Sequence, residues 1–391
     1  MLKKISLVTA GNMINALLGF IFLWAVANTL PLEDFGKYAL FVSILLVFAR
    51  LTDFGTNSVF VTKSIFQKMQ IQDFIGLKFV LFIFALAIGL ITLAFFHLLT
   101  IPLALIFTGS LIAYTLNYAL YALYQREEAY SLMVLLYTIP AVIKSFFAPL
   151  LILGILKPTL SLTTGVFGLS IFSGVILMAF NNPLKKLQMK LNLELLKPAW
   201  PAGVSQIITE MWPALSNGVA KAIEGFSDVG IFALANKVSI IFSLVSLSIF
   251  SVLLPQNAKR KKQDLKYSFD EIFILAGAIL VMGVFGIIAS RFVIGRFFGS
   301  QFKESLGLLN ILVFAAAFNS IATFMENYFF IQEDTKKILS ISLAKLGAFV
   351  LAILVLTPGM KLAGLAYAQL LAGVLAVLVT GGFIFSRPKA N

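Results

Sequence analysis

The sequence predicts an all-α polytopic membrane protein with twelve spans, and three observations predict it. The 391 residues are 60% hydrophobic and only 12% charged, and the mean hydropathy is +0.98. A soluble domain of this length needs more polar surface than that composition supplies. The apolar residues come in runs of about 20, the length that crosses a bilayer core as a helix. The runs are continuously apolar rather than alternating. That pattern excludes a membrane barrel and leaves helices, because lipid cannot satisfy backbone hydrogen bonds.

In order, the expected spans cover residues 5–30, 36–57, 74–98, 101–125, 129–154, 160–182, 201–225, 229–254, 269–290, 305–331, 337–357 and 362–385. The start Met1-Leu2-Lys3-Lys4 is signal-like, but no small-residue cleavage pattern leads into a soluble chain, so it reads as an uncleaved first span. With the N-terminus inside, the inner segments hold eighteen basic residues and the outer segments six. This bias puts both termini of a multi-pass membrane protein in the cytoplasm. All the outer loops are short; the longest is 291–304.

Two inner loops stand out. Residues 183–200 are basic and carry Pro183 and Pro198, with Pro201 just beyond. They read as a linker between an N-lobe (1–182, spans one to six) and a C-lobe (201–391, spans seven to twelve). Residues 256–268 carry Lys259-Arg260-Lys261-Lys262, a topology anchor or an attractor of anionic lipid headgroups. The lobes echo each other at an offset of 194. Asp34-Phe35-Gly36-Lys37-Tyr38-Ala39-Leu40 aligns with Asp228-Val229-Gly230-Ile231-Phe232-Ala233-Leu234, Asn12 with Gln206 and Gly19 with Pro213. Both copies fall after the first span of their half, so the repeats share one orientation and imply a pseudo-twofold axis along the membrane normal.

The chain has no cysteine and one histidine, His97. Disulfides, thiolate metal sites and cysteine nucleophiles are excluded. No metal, cofactor or catalytic group is expected. The net charge of +13 is assigned to membrane topology, and no nucleic-acid partner is expected.

Charges inside spans are costly and point to a polar interior or to snorkelling. Lys78, near the inner end of span three, is expected to snorkel. Arg50 and Asp53 in span two are three residues apart and close enough to pair. Span seven sets Gln206, Glu210, Asn217, Lys221 and Glu224 on one stripe with Pro213 between them. The stripe is either a polar seam between helices or the wall of an aqueous cavity. Span eight carries Asn236, Ser239, Ser243 and Ser246, with Lys237 at the border. Span ten aligns Asn319, Thr323 and Glu326. Span eleven holds Lys345, and span five holds Lys144 after Pro140. Without Lys78, five interior bases face three or four acids. This surplus suits an anionic substrate portion such as phosphate. The candidate cationic ligands are Arg50, Lys144, Lys221, Lys237 and Lys345. The candidate polar or coupling residues are Asp53, Glu210, Glu224, Glu326, Asn12, Gln206, Asn217 and Asn319. In span four Tyr114, Tyr118 and Tyr121 lie on one face, near Asn117 and Tyr124. They are either an interfacial aromatic belt or rings on which sugars stack.

Three segments carry a family resemblance: Gly11-Asn12, Leu30-Pro31-Leu32-Glu33-Asp34-Phe35-Gly36-Lys37-Tyr38-Ala39-Leu40 and Leu51-Thr52-Asp53-Phe54-Gly55. They resemble the start of Wzx-type polysaccharide flippases of the multidrug/oligosaccharidyl-lipid/polysaccharide exporter superfamily. Ala122-Leu123-Tyr124-Gln125-Arg126-Glu127 is similar to that family's inner end of span four. The resemblance implies two six-helix lobes in a V, as in MATE exporters. It also implies translocation of an undecaprenyl-diphosphate-linked oligosaccharide such as an O-antigen unit, with basic residues on the diphosphate. A polysaccharide polymerase and a chain-length regulator are the implied partners, beside membrane lipids. Arg50 and Lys237 stand where the related peptidoglycan-precursor flippases also place cations. The chain differs from those in lacking charge in span one and two further C-terminal spans. Two alternatives remain, a drug exporter of the same superfamily and a membrane enzyme. A cation-coupled drug exporter wants an acid in span one, where only Asn12 and Asn15 are polar. A polymerase or glycosyltransferase wants a long outer loop or clustered carboxylates and histidines.

Overall fold

The structure is a computed structural model. It describes residues 2–57, 60–61, 71–180, 190–240, 269–331 and 334–386. The Lys259–Lys262 cluster, Ser243 and Ser246 lie outside the described residues, as do the side chains of Asn12 and Glu224. Among the described residues the chain is helical and contains no strand.

The helices follow the apolar runs. They are α1 (Leu2–Thr29), α2 (Leu32–Asp53), α3 (Ile71–Phe95), α4 (Ile101–Arg126), α5 (Tyr130–Ile152), α6 (Leu160–Ser170), α7 (Ser173–Phe180), α8 (Leu196–Glu224), α9 (226–240), α10 (Phe269–Phe297), α11 (Ser305–Ile331) and α12 (Thr335–Phe385). Seven helices are long and apolar enough to cross a membrane among the described residues. Their apolar side chains are distributed to suit lipid. Phe95, Ile101 and Phe180 are 74%, 80% and 86% exposed, while Phe35, Phe41 and Phe107 are fully buried. In water that outer surface would drive aggregation; in a bilayer it is solvated.

Helix ends are set by local chemistry. Thr100 and Thr159 cap α4 and α6, their hydroxyls accepting from the amides of Leu103 (3.5 Å) and Leu162 (3.2 Å). Glu33 and Asp34 occupy the first turn of α2, where the helix dipole favours acids. Both pair with Lys37, at 2.7 and 3.4 Å.

Two features depart from simple spans. The run 160–182 is broken at Ile171–Phe172. The break leaves backbone groups unpaired, and Asn117 of α4 takes them. Its amide donates to the Ile171 carbonyl at 2.7 Å, and its oxygen accepts from the Gly174 amide at 3.0 Å. Ser173 adds a bond to the Leu136 carbonyl at 2.8 Å. The second feature is in α12, whose 51 residues are interrupted at Lys361 (φ 49°, ψ −128°), just after Pro358. The interruption falls between the expected spans 337–357 and 362–385. The arms touch at the turn: a Cβ on Gly364 would lie 2.5 Å from the Leu356 carbonyl oxygen.

The chain forms two compact units, Met1–Gly218 and Val219–Asn391. Most of α8 therefore packs with the first unit. Two glycines explain the closeness. Gly55 (φ 71°) and Gly203 of α8 are so near that a Cβ on Gly55 would lie 2.7 Å from the Gly203 nitrogen. A Cβ on Gly203 would lie 2.6 Å from the Phe54 carbonyl oxygen. Further along, the Asn217 amide donates to the Ala39 carbonyl (3.4 Å) and to the Ser43 hydroxyl (3.3 Å) of α2.

Candidate anion-binding site in the first unit

The C-terminal turn of α2 organises the site. The helix stops because Phe54 (φ 42°) and Gly55 (φ 71°) both turn left-handed, and the Phe54 amide closes on the Arg50 carbonyl at 3.0 Å. This cap places Asp53 at the helix end with its side chain turned inward, 3% exposed. Its carboxylate accepts from Lys78 Nζ of α3 at 2.7 Å and from the Asn57 amide at 3.2 Å. The Lys78 side chain is 2% exposed. The expectation that Lys78 snorkels is therefore corrected: it is the buried counter-ion of Asp53. The reason is depth. Lys78 is seven residues into α3, level with the end of the antiparallel α2, and an acid was waiting there.

Arg50 sits on the other side of the same carboxylate, with one terminal nitrogen 3.7 Å from Asp53 Oδ2. Its other terminal nitrogen donates to Glu210 Oε1 of α8 at 3.1 Å. Its Nε is buried without a partner. Its guanidinium lies 5.1 Å from the centre of the Tyr118 ring, a cation–π distance. The two pairs differ in solvation. Lys78–Asp53 is sealed, whereas the Arg50 and Glu210 side chains keep 26% and 32% exposure. A sealed pair positions; a half-exposed pair can exchange partners.

The four charges sum to zero. Arg50 and Lys78 are matched by Asp53 and Glu210, so the counted surplus of interior cations is not located here. An anion reaching Arg50 has to compete with Glu210.

The remaining candidates are spread through both units. Lys144 Nζ of α5 lies 4.9 Å from the Phe167 ring centre in α6. Gln206 Oε1 and Asn217 Oδ1, both on α8, are buried without partners among the described residues. In the second unit Lys221 Nζ lies 5.1 Å from the Phe226 ring centre. Lys237 on α9 is exposed, while its neighbours Asn236 and Ser239 are buried. Glu326 of α11 and Lys345 of α12 interact electrostatically, and Asn319 Oδ1 is buried without a partner. Thus Arg50, Asp53 and Glu210 converge, Lys144 packs on an aromatic ring instead, and Lys221, Lys237 and Lys345 belong to the second unit. Among the described residues no group of three His, Cys, Asp or Glu side chains could hold a metal.

The model of the family described as "Polysaccharide biosynthesis protein" matches residues 1–261. The chain belongs to this family. The match includes α1 to α9 and therefore every residue of the Arg50 cluster. No curated protein sequence matches the chain. Among solved structures, the lipid II flippase MurJ in an inward closed conformation is similar over 98% of this chain and 88% of its own, at 12% identity and a TM-score of 0.79. The MATE multidrug transporter DinF-BH is similar over 98% and 94%, at 14% identity and 0.66. An inward-facing multidrug resistance MATE transporter of the MOP superfamily is similar over 95% and 93%, at 14% identity and 0.65. At these identities the likeness establishes the fold. The fold of this family member is that of flippases and multidrug transporters rather than of an enzyme, and it is a multi-pass membrane protein.

Proposed function

We propose that the protein is a flippase that moves an undecaprenyl-diphosphate-linked oligosaccharide from the inner to the outer leaflet of a bacterial cytoplasmic membrane. The observation that carries this reading is the state of Arg50. It is a half-exposed guanidinium with a partnerless Nε, inside a helix bundle, held by an exchangeable acid and backed by a sealed ion pair. A diphosphate offers several charged oxygens in bidentate geometry and can outcompete a single carboxylate for such a group. The family's link to polysaccharide biosynthesis supports the saccharide part of the substrate, and the MurJ-like fold supports a lipid-linked one.

The proposed architecture has twelve spans in two six-helix lobes joined by residues 183–200, with both termini cytoplasmic. In the proposed cycle the lobes alternate access while the lipid tail stays in the bilayer. Asp53 and Lys78 hold Arg50 at a fixed depth. Glu210 neutralises Arg50 when no substrate is bound and releases it when the diphosphate arrives. Lys144, Lys221, Lys237 and Lys345 provide further cationic stations, and Asn12, Gln206, Asn217 and Asn319 a polar lining. Glu224 and Glu326 are the candidates for coupling to a proton or cation gradient. A polysaccharide polymerase and a chain-length regulator are the proposed partners downstream.

The test is complementation in a strain lacking its own flippase. Arg50→Ala and Lys237→Ala, expressed at wild-type level in the membrane, should abolish surface polysaccharide. Full polysaccharide with both variants overturns the assignment. A second reading, a cation-coupled drug exporter, is favoured by the MATE likeness. Protection of cells against cationic dyes, undiminished by Arg50→Ala, would support it instead.

A further inference from the structure

Beside Arg50 stands a group of tyrosines that the ion-pair network does not use. Tyr114 and Tyr118 of α4 stack at 6.0 Å between ring centres. Tyr121, one turn further, meets Tyr137 of α5 edge-on at 5.3 Å. Tyr118 lies under the Arg50 guanidinium. Its position is fixed by Asn57, whose amide donates to the Tyr118 carbonyl at 3.0 Å. Tyr114 is within electrostatic reach of Glu210, and Tyr121 and Tyr137 are within reach of Arg50. The four rings thus gather near the Arg50–Glu210 pair in the first unit, with Tyr137, 40% exposed, at their outer side.

The hydroxyls make this surface unusual. A phenol inside a protein ordinarily finds a hydrogen-bond partner. Among the described residues, the side chains of Tyr114, Tyr118, Tyr121 and Tyr137 make no hydrogen bond. Tyr137 is exposed, and the hydroxyls of Tyr114, Tyr118 and Tyr121 are not among the buried partnerless atoms, unlike that of Tyr124. Four phenol groups therefore remain open for bonding next to a guanidinium with a partnerless Nε. An aromatic belt at a membrane interface does not account for this placement, because the rings surround a charge pair that joins α2 to α8.

We propose that Tyr114, Tyr118, Tyr121 and Tyr137 form a carbohydrate subsite that takes the sugar next to the phosphate held at Arg50. The chemistry fits a pyranose. Its C–H faces pack on aromatic rings and its hydroxyls exchange hydrogen bonds with phenols, which both donate and accept. Its anomeric phosphate lies on the side where Arg50 waits. A bare lipid diphosphate would fill the Arg50 position and leave the phenols unpaired. The subsite thus distinguishes a sugar-loaded carrier from an empty one, so that the unloaded lipid is not carried as efficiently. This inference rests on the flippase reading above.

The experiment compares two probes on the purified full chain in nanodiscs. One is a short-chain prenyl diphosphate; the other is the same diphosphate bearing one N-acetylhexosamine. Binding is measured by calorimetry, and thermal unfolding checks that each variant is folded. The wild type should bind the sugar-bearing probe about tenfold tighter. Tyr114→Phe with Tyr121→Phe keeps the rings and removes two hydroxyls. It should weaken the sugar-bearing probe by about fivefold or more and leave the bare diphosphate within about twofold. Arg50→Ala should weaken both probes. Equal binding of the two probes by the wild type, or an equal loss of both in the tyrosine variant, overturns the subsite and leaves diphosphate binding standing. Binding of neither probe by the wild type overturns the flippase reading and the subsite with it. A tyrosine variant that no longer unfolds cooperatively is replaced by Tyr137→Phe alone, which is judged by the same two outcomes.

Discussion

The seven-residue segment at 34–40 and its sequence counterpart at 228–234 share four buried positions but treat their acid in opposite ways. Phe35 and Val229 are fully buried, and so are Leu40 and Leu234. Asp34, however, keeps 36% of its side-chain exposure and pairs with Lys37 at 3.4 Å. In the second copy Ile231 replaces that lysine, and its carbonyl accepts a bond from Ser305 at 2.8 Å. Asp228 is 8% exposed. Burial, and secondarily Glu304, hold its carboxyl above the ordinary aspartate range. The two segments share a sequence pattern and four buried positions but differ in their electrostatics. Beyond the motif, the first unit holds a matched four-charge cluster with acids and bases from three helices. The second unit's copy sets an acid against another acid.

The largest test of this contrast is Lys78→Met. Removing one partner from the sealed pair leaves the buried Asp53 with only the longer contact to Arg50, at 3.7 Å, and should cost about 3–5 kcal/mol. Thermal unfolding in detergent reads it, and adding Asp53→Asn should recover most of the loss. Next is Gly55→Ala. The residue combines a left-handed backbone with neighbouring backbone atoms that cannot yield, and the cost should be about 1–3 kcal/mol in the same assay. Glu210→Gln is expected to cost only about 1 kcal/mol or less, because the pair is half-exposed. Its signature is instead tighter binding of inorganic pyrophosphate, by about three- to tenfold, since Arg50 loses its competitor. Unchanged or weaker binding would mean that Glu210 does not compete. The smallest effect is Asp228→Asn. A carboxyl held above its usual range penalises the folded state when ionised. The wild type should therefore gain stability relative to the variant as pH falls through the folded-state value, and lose it as pH rises. At pH 7 Asp228→Asn should melt at the same temperature or slightly higher. A clearly lower melting temperature at pH 7 would show that the ionised acid is stabilised in the fold.

Much of the fold was legible because lipid makes burial a one-dimensional signal. Runs such as 305–331 become helices of the expected length, since nothing else satisfies the backbone there. The break at Ile171 was not legible: the residue that permits it, Asn117, is 54 positions away and looks like any polar side chain near a tyrosine run. In the site, the Arg50–Asp53 pair followed from spacing along one helix. Lys78 and Glu210 did not, because their partners are on other helices and hydropathy measures depth without direction. An acid and a base at equal depth on antiparallel neighbours were the available sign for Lys78. The tyrosine face was visible by its period, but nothing in the period distinguishes a belt at the membrane surface from rings gathered around a guanidinium.

The break in α12 offers an experimental handle. The chain contains no cysteine, and a Cβ placed on the exposed Gly359 meets no atom within 4 Å. Gly359→Cys therefore puts a single thiol at the turn between two apolar arms, in a protein with no background reactivity. A membrane-impermeant maleimide added to intact cells would label it only if that turn faces outward. One substitution at a site the helix has already interrupted thus reads the sidedness of the whole C-terminal hairpin.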